Sequence, residues 1–236
     1  MPHRIDQLLS NLGYCSRKDA RACAKRGEIT YQNGDPVPSV DLRVSPANLR
    51  FRGEALDHPE GLFILFHKPV GYTCSHDPQE GKVIYELFPE RWLRRKPQFT
   101  SVGRLDKDTS GIMICTDSGA LVQKLTSPKS QCEKVYQVWV DKKIDPQLVP
   151  LFASGNLILR SEKLACAPAQ LDIKDERMAE LTLTEGKYHQ VRRMFAAMGY
   201  HVKKLHRRSF AGLGLDDLPV GAYRDLDCSE LKIISY

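Results

Sequence analysis

Gly103-Arg104-Leu105-Asp106-Lys107-Asp108-Thr109-Ser110-Gly111, followed by the apolar run Ile112-Met113-Ile114-Cys115, combines a charged loop with the pattern of a buried strand. Glycines bracket the loop, and two carboxylates, Asp106 and Asp108, stand among basic side chains and hydroxyls. Such neighbours keep a carboxylate ionised, as a nucleophile or a general base requires. A polar loop closed by local salt bridges would have the same composition. The spacing alone therefore leaves a catalytic and a structural interpretation open.

Short strands and single helices surround this loop. The apolar residues 62–66 predict a buried strand, which ends at Lys68-Pro69-Val70-Gly71, and the alternation over 134–140 predicts a half-buried strand. Apolar residues at helical spacing predict a helix from about Tyr188 to Gly199. Further strands are expected at 112–115, 181–184 and 201–205. Because these elements follow no regular βαβ order, we expect an α+β fold with a mixed, mainly antiparallel sheet.

Residues 1–57 have the pattern of a small separate module. Ser16-Arg17-Lys18-Asp19 is typical of a helix N-cap, Gly27 of a helix end, and Asn33-Gly34 of a tight turn. The predicted helix has five cations spread over one broad face, which are Arg17, Lys18, Arg21, Lys25 and Arg26. The polar residues 58–61 are the best candidate for a linker, and residues 62–236 are expected to form one larger domain.

Composition limits the class of protein. The formal net charge of +6 over 236 residues is a modest basic excess, which is compatible with a nucleic-acid partner without requiring one. The seven cysteines are odd in number and contain no CxxC pair, so we expect reduced thiols and no zinc site. No apolar run approaches the ~20 residues of a membrane span, and no secretory signal opens the chain. We therefore expect a cytoplasmic protein with no membrane partner.

Four motifs in order make the larger domain recognisable. Gly103-Arg104-Leu105-Asp106 with Thr109-Ser110-Gly111 closely resembles the catalytic motif of pseudouridine synthases of the RsuA and RluA families. The flanking motifs of these families are similar to Lys68-Pro69-Val70-Gly71, Lys134-Val135-Tyr136 and Gly186-Lys187-Tyr188-His189-Gln190-Val191-Arg192-Arg193-Met194. The resemblance covers residues 62 to about 226. The N-terminal residues resemble a small RNA-binding module with an alpha-L motif, although Gln7 stands where that module commonly has a lysine.

The resemblance implies the roles of individual residues. Asp106 would be the essential carboxylate, Arg192 the basic residue that pairs with it, and Tyr136 the aromatic ring that stacks on the target base. Leu205 would form an apolar wall behind the base, and Arg104 and Lys68 would contact the substrate, although Lys68 also fits a structural role at a strand end. The phosphate contacts would come from the five cations of the module and from Arg193.

The reaction implied is the conversion of a uridine in RNA to pseudouridine, without a cofactor or a metal. The sequence does not decide whether Asp106 attacks the ribose, attacks the pyrimidine ring or promotes elimination to a glycal. Because the reacting atoms are inaccessible in a stacked helix, the uridine must be flipped out. His189 is interpreted as a structural hydrogen-bonding residue.

The choice of RNA rests on the whole chain. The N-terminal module, the lack of a long basic tail and the segment Ser127-Pro128 to Lys134 favour family members that act on small-subunit ribosomal RNA, free or in a pre-ribosomal particle. A large-subunit enzyme of the same family and a non-catalytic RNA-binding assembly factor are the alternatives. A zinc-dependent base deaminase is excluded because the chain has no His-x-Glu and Cys-x-x-Cys set. We expect the protein to act as a monomer.

Overall fold

The computed structural model of this chain describes residues 2–160 and 162–235. The chain forms two compact units. The first runs to Phe63 and includes Tyr85–Thr100 and Cys115–Gly119; the second contains Ile64–Ile84, Ser101–Ile114 and the chain from Ala120 onward. The predicted linker at 58–61 therefore lies inside the first unit, which also takes part of the predicted larger domain.

Strands and helices are mixed along the described chain without a regular alternation. The strands are β1 (His3–Arg4), β2 (Ile29–Tyr31), β3 (Arg43–Val44), β4 (Leu49–Phe51), β5 (Glu54–Ala55), β6 (Phe63–Lys68), β7 (Thr100–Ser101), β8 (Thr109–Thr116), β9 (Lys134–Val140), β10 (Gln170–Asp175), β11 (Met178–Leu183), β12 (Val202–Phe210), β13 (Leu213–Gly214) and β14 (Tyr223–Asp225). The α-helices are α1 (Ile5–Asn11), α2 (Arg17–Lys25), α3 (Glu90–Leu93), α4 (Gly119–Thr126), α5 (Leu148–Ala153), α6 (Gln190–Ala197) and α7 (Cys228–Ser235). None of these helices is long and apolar enough to cross a membrane.

The first unit contains the predicted cationic helix. Ser16 caps α2 by accepting a hydrogen bond from the Asp19 N–H at 3.1 Å, as the capping pattern predicts, and Gly27 follows with a positive φ of 71°. The sequence did not indicate α1, which packs with α2 around a shared apolar core. β2 pairs with β4, and β4 pairs with β5, to give a small antiparallel sheet.

A buried ion pair holds the later segments of the first unit together. The Arg95 side chain is almost fully buried, and its Nε lies 2.8 Å from Asp117 Oδ2. The other oxygen of Asp117 accepts a hydrogen bond from the Leu62 N–H at 2.8 Å. Asp117 therefore connects two chain segments instead of capping the following helix.

The large sheet carries the second unit. Its described strands follow the order β10-β11-β9-β12-β8-β6-β14, with β13 and β7 paired at the side. β12 is parallel to β8 and antiparallel to β9, and β10–β11, β9–β11 and β6–β14 are antiparallel pairs. The expected α+β fold with a mixed, mainly antiparallel sheet is therefore confirmed. β9 has the predicted bounds, whereas β12 continues five residues beyond the predicted end at 205.

Candidate active site

Three neighbouring strands place a group of side chains on one face of the large sheet. Arg207 of β12 lies opposite Tyr136 of β9, and Leu205 of β12 lies beside Thr109 of β8. Side chains at paired positions point to the same face, and residues two apart along a strand do so as well. All four residues line a cleft of about 870 Å³, together with Asp106. The structure thus brings Asp106, Tyr136 and Leu205 together, as the sequence predicts.

Hydrogen bonds from Lys68 hold the main chain of the loop that carries Asp106. The Lys68 Nζ donates to the carbonyls of Pro69 at 3.0 Å, Asp106 at 3.1 Å and Thr109 at 2.9 Å. The Gly71 N–H adds a hydrogen bond to the Lys107 carbonyl at 2.8 Å. Lys68 is fully buried, and this burial lowers the pKa of its ammonium to about 8. The predicted contact between Lys68 and the substrate does not fit this position, whereas the structural role does.

The Asp106 carboxylate has a histidine as its neighbour. Its side chain is 32% exposed, and Oδ1 lies 3.3 Å from His189 Nε2. His189 adopts a left-handed conformation, with a φ of 47°, directly before α6, and its ring stacks on Tyr188 with 3.9 Å between centroids. This contact is ionic only when the imidazole is protonated. His189 therefore contacts the carboxylate of Asp106 itself, which the structural role suggested by the sequence did not include.

Arg192 does not pair with the Asp106 carboxylate. Its guanidinium donates to the carbonyl of Asp108 at 3.1 Å and to the carbonyl of Val202 at 3.1 Å. The ion pairs of the described residues include none between Arg192 and Asp106, so the predicted pair is absent from this structure. The physical reason is that two main-chain carbonyls satisfy the planar guanidinium before it reaches the carboxylate. Arg192 thus connects the loop that carries Asp106 and Asp108 to the first residue of β12.

The two other arginines predicted near the site differ in their surroundings. Arg104 is exposed and lines the cleft, which leaves it free to meet a substrate. Arg193 forms a salt bridge with Glu162 at 2.8 Å and also donates to the carbonyls of Tyr188 and Arg160. A phosphate at Arg193 would have to compete with these partners, so its position favours a structural role over the predicted phosphate contact.

The five cations predicted for the module lie on α2 and at its C-cap residue, Arg26. Three of them have carboxylate partners. Arg17 lies 3.1 Å from Asp6, Arg21 lies 3.8 Å from Asp41, and Arg26 lies 3.0 Å from Glu28. The exposed pair of Arg21 and Asp41 contributes little to stability. The carboxylates of Asp6 and Glu28 are more buried, so a phosphate would have to compete with them for Arg17 and Arg26. Within residues 2–160 and 162–235, Lys18 and Lys25 form no ion pair, and both are exposed.

The cleft is more basic than acidic. Its charged lining residues are Glu80, Arg104, Asp106, Lys107, Lys134, Glu185, Lys187 and Arg207. Burial lowers the pKa of the Lys134 ammonium, and the positive charge of Arg207 acts in the same direction. An excess of cations suits a polyanionic ligand such as RNA. Among the described residues, no cluster of three or more His, Cys, Asp or Glu side chains could hold a metal ion.

Two cleft residues, Arg207 and Thr109, were assigned no individual role in the site from the sequence. Their exposed fractions are 2% and 1%. The Arg207 Nε and Nη2 donate to the Ile112 carbonyl at 2.9 and 2.7 Å, and the guanidinium carbon lies 4.5 Å from the centre of the Phe210 ring. The alternation of β12 could have revealed Arg207, because it stands two residues after Leu205 and so shares its face.

Comparison with known proteins agrees with this geometry. The family described as RNA pseudouridylate synthase matches residues 62–197. Ribosomal small subunit pseudouridine synthase A of Vibrio parahaemolyticus is 37% identical over 235 residues, which cover 98% of this chain and 99% of the relative. The protein of the same name from Escherichia coli K12 is 36% identical over 236 residues, with coverage of 98% and 99%.

A solved structure described as a crystal structure of pseudouridylate synthase has the same fold. Its TM-score is 0.69 at 33% sequence identity, and the match covers 98% of this chain and 99% of that chain. The match extends over the first unit as well as the second, because nearly the whole of both chains is aligned. The chain is therefore a member of the RNA pseudouridylate synthase family, and it is an RNA-modifying isomerase.

Proposed function

We propose that this protein converts one uridine of small-subunit ribosomal RNA to pseudouridine. The observation that carries the proposal is the position of Asp106, a half-exposed carboxylate on a fixed loop, in one cleft with Tyr136 and Leu205. The relatives of V. parahaemolyticus and E. coli, which match along nearly the whole chain, are named for the small ribosomal subunit. A protein that only binds RNA would not need a carboxylate on a loop whose main chain is held in place by the buried Lys68.

The cleft suggests how the residues divide the work. A uridine that is flipped out of its stack can enter the cleft, where Tyr136 would stack on the base and Leu205 would form the apolar wall behind it. Asp106 would act on the ribose or the base to free the uracil, which turns and rejoins the ribose through C5. We assign no cofactor to this reaction, since a carboxylate nucleophile can carry it. Arg104 would contact the RNA at the exposed edge of the cleft.

The target is tested by mapping pseudouridine across ribosomal RNA from cells with and without this protein. We expect one site in small-subunit RNA to lose its pseudouridine and to regain it when the gene is restored. Restoration with an Asp106→Asn variant is the control, because it supplies the binding protein without the carboxylate. A loss confined to large-subunit RNA would favour the large-subunit alternative. Recovery of the modification with Asp106→Asn would favour an assembly factor.

Arg192 is expected to support turnover by holding the catalytic loop. Arg192→Met removes the donors to the Asp108 and Val202 carbonyls, so the loop should lose part of its alignment. Turnover at saturating RNA should fall by about 100-fold, the cost of a displacement near 1 Å at a reacting group. Arg192→Lys should recover only part of this loss, because an ammonium lacks the planar fork that reaches two acceptors.

Single-turnover kinetics at saturating RNA measures this effect free of binding defects. Arg193→Met is the matched control, since it removes the neighbouring guanidinium, which pairs with Glu162. We expect this control to react at close to the wild-type rate. The proposed role of Arg192 is wrong if Arg192→Met reacts as fast as the control.

The module is expected to contribute affinity for RNA through its unpaired lysines. Lys18→Gln should weaken binding and lower the slope of log K against log salt by about 1, as expected when one phosphate contact is lost. The charge variant is a cleaner test than deletion of residues 1–57, because Tyr85–Thr100 packs in the same unit. Lys232→Gln on α7 removes the same charge elsewhere and should leave the slope unchanged. Equal slopes for Lys18→Gln and wild type would contradict the assignment.

A further inference from the structure

Arg207 is a buried cation without a carboxylate partner. It forms no salt bridge with any residue in 2–160 or 162–235, and its hydrogen bonds there use only Nε and Nη2, both to the Ile112 carbonyl. Arg95, which is equally buried, has Asp117 at 2.8 Å. A buried charge that is not paired costs several kcal/mol. Lys68 is buried too, but its ammonium donates to three carbonyls, whereas the Arg207 guanidinium, with five N–H donors, has one carbonyl acceptor, which favours a use of its charge in binding or reaction.

The close packing of β8 and β12 fixes the position of Arg207. Gly111 lies beside Arg207 in the parallel register, with a φ of 125°. A Cβ atom at Gly111 would lie 2.2 Å from the Arg207 carbonyl oxygen and 2.5 Å from its nitrogen, which no side chain allows. The last glycine of the Thr-Ser-Gly motif therefore sets how closely the strand of Arg207 approaches the strand that follows the catalytic loop.

Thr109 adds a second polar group with unused capacity. Its Oγ1 is buried and has no hydrogen-bond partner among the described residues, although the residue lines the same cleft. Thr109 lies beside Leu205, and Leu205 precedes Arg207 by two residues on β12. A buried hydroxyl without a partner costs about 1–3 kcal/mol, which a ligand that supplies the missing hydrogen bond can restore. Next to the wall formed by Leu205, two groups on adjacent strands thus have unused hydrogen-bonding capacity: Thr109 Oγ1, which has no partner among the described residues, and the guanidinium of Arg207, which has no carboxylate partner there.

We infer that Arg207 is a catalytic residue that donates a hydrogen bond to a carbonyl oxygen of uracil and stabilises the negative charge of the detached base, with Thr109 as a second polar contact. This inference rests on the function proposed above. When the C1′–N1 bond breaks, its electron pair leaves with the base and spreads onto O2 and O4, while the Asp106 carboxylate either bonds to C1′ or takes the C2′ proton to leave a glycal. The C1′–C5 bond then forms as C1′ releases the carboxylate or C2′ regains its proton, after which C5 loses its proton and N1 gains one. A fixed cation in a buried site stabilises such a charge far more than it would in water.

The burial of Arg207 favours the base over a phosphate as the ligand. Phosphates of RNA stay at the protein surface, where exposed cations such as Arg104 meet them. Arg207 has an exposed fraction of only 2% and lies opposite Tyr136, the residue assigned to stack on the base. A flipped base is the part of the nucleotide that enters such a pocket.

The test pairs a change in the protein with a change in the substrate. Wild type, Arg207→Gln and Arg207→Lys are compared on RNA that carries uridine, 2-thiouridine or 4-thiouridine at the target, by single-turnover kinetics at saturating RNA. Arg207→Gln should slow the reaction of uridine by about 100-fold, as the loss of one donor to a developing anion does. The thio substitution at the contacted oxygen should slow wild type clearly more than it slows Arg207→Gln. If both thio substitutions slow all three proteins by the same factor, Arg207 does not contact the base.

Two controls separate this inference from folding and from the proposed target. Arg208→Gln removes the next arginine, which is exposed and pairs with Glu180 at 2.8 Å, and it should react like wild type. If Arg207→Gln does not fold, Arg207→Lys provides the comparison. NMR titration with uracil needs no turnover, and Arg207→Lys should bind uracil more weakly than wild type and Arg208→Gln. Wild-type protein that forms no pseudouridine in small-subunit RNA refutes only the target, whereas equal uracil binding by all variants refutes the role of Arg207.

Discussion

Asp106→Asn is expected to reduce pseudouridine formation by more than about 1000-fold while RNA binding remains close to that of wild type. The amide is nearly isosteric with the carboxylate but cannot act as a nucleophile or a base. The loop itself should persist, because Lys68 binds the main-chain carbonyl of Asp106 and not its side chain. The measurement is single-turnover conversion at saturating RNA, with mass spectrometry to exclude deamidation of the new asparagine.

Asp108→Asn is the matched control for this prediction. Asp108 lies two residues further along the same loop, is exposed and is absent from the lining of the cleft. Its carbonyl, which accepts from Arg192, is unaffected by the substitution. We therefore expect a rate within a few-fold of wild type. If Asp108 proved essential and Asp106 dispensable, the assignment of the catalytic carboxylate to Asp106 would be wrong.

The sequence predicted those elements whose pattern is local. The alternation from Lys134 to Val140 reproduced the bounds of β9, because each step along a strand reverses the face of the side chain. Ser16 predicted the start of α2, since an N-cap acts on the N–H groups of the next turn. The identity of Asp106 came from the order of four motifs, not from spacing, which also fits a polar loop.

The partners of long side chains could not be predicted in the same way. The sequence placed Arg192 off the apolar stripe of its helix, but its acceptors are carbonyls of Asp108 and Val202, which only the folded backbone brings near. The sequence predicted a strand that ends at Leu205. The structure instead continues β12 to Phe210 and buries Arg207, whose guanidinium donates to the Ile112 carbonyl of β8 and lies against the Phe210 ring. Main-chain acceptors leave no pattern in the sequence, so such contacts are missed.

The second large effect is expected at Lys68, because its ammonium donates to three main-chain carbonyls, one in a buried hydrogen bond and two in partly buried ones. Lys68→Met keeps the length and apolar character of the stem but leaves the carbonyls of Pro69, Asp106 and Thr109 without this donor. An unsatisfied buried group costs about 1–3 kcal/mol, so the free energy of unfolding should fall by about 3 kcal/mol. Turnover of the folded fraction should also fall by about 100-fold, since the Asp106 loop loses its anchor and a shift near 1 Å has that cost.

Urea unfolding and single-turnover kinetics at saturating RNA measure the two effects of Lys68→Met separately. Lys203→Met is the matched control, because Lys203 is exposed on β12 and the same substitution there leaves no buried acceptor unsatisfied. A loss of stability with an unchanged rate would limit Lys68 to the core of the second unit. Losses of both show that the anchor positions the carboxylate, because the rate is measured on folded, RNA-saturated protein. If Lys68→Met matches Lys203→Met in both measurements, the three hydrogen bonds from Lys68 do not hold the Asp106 loop in solution.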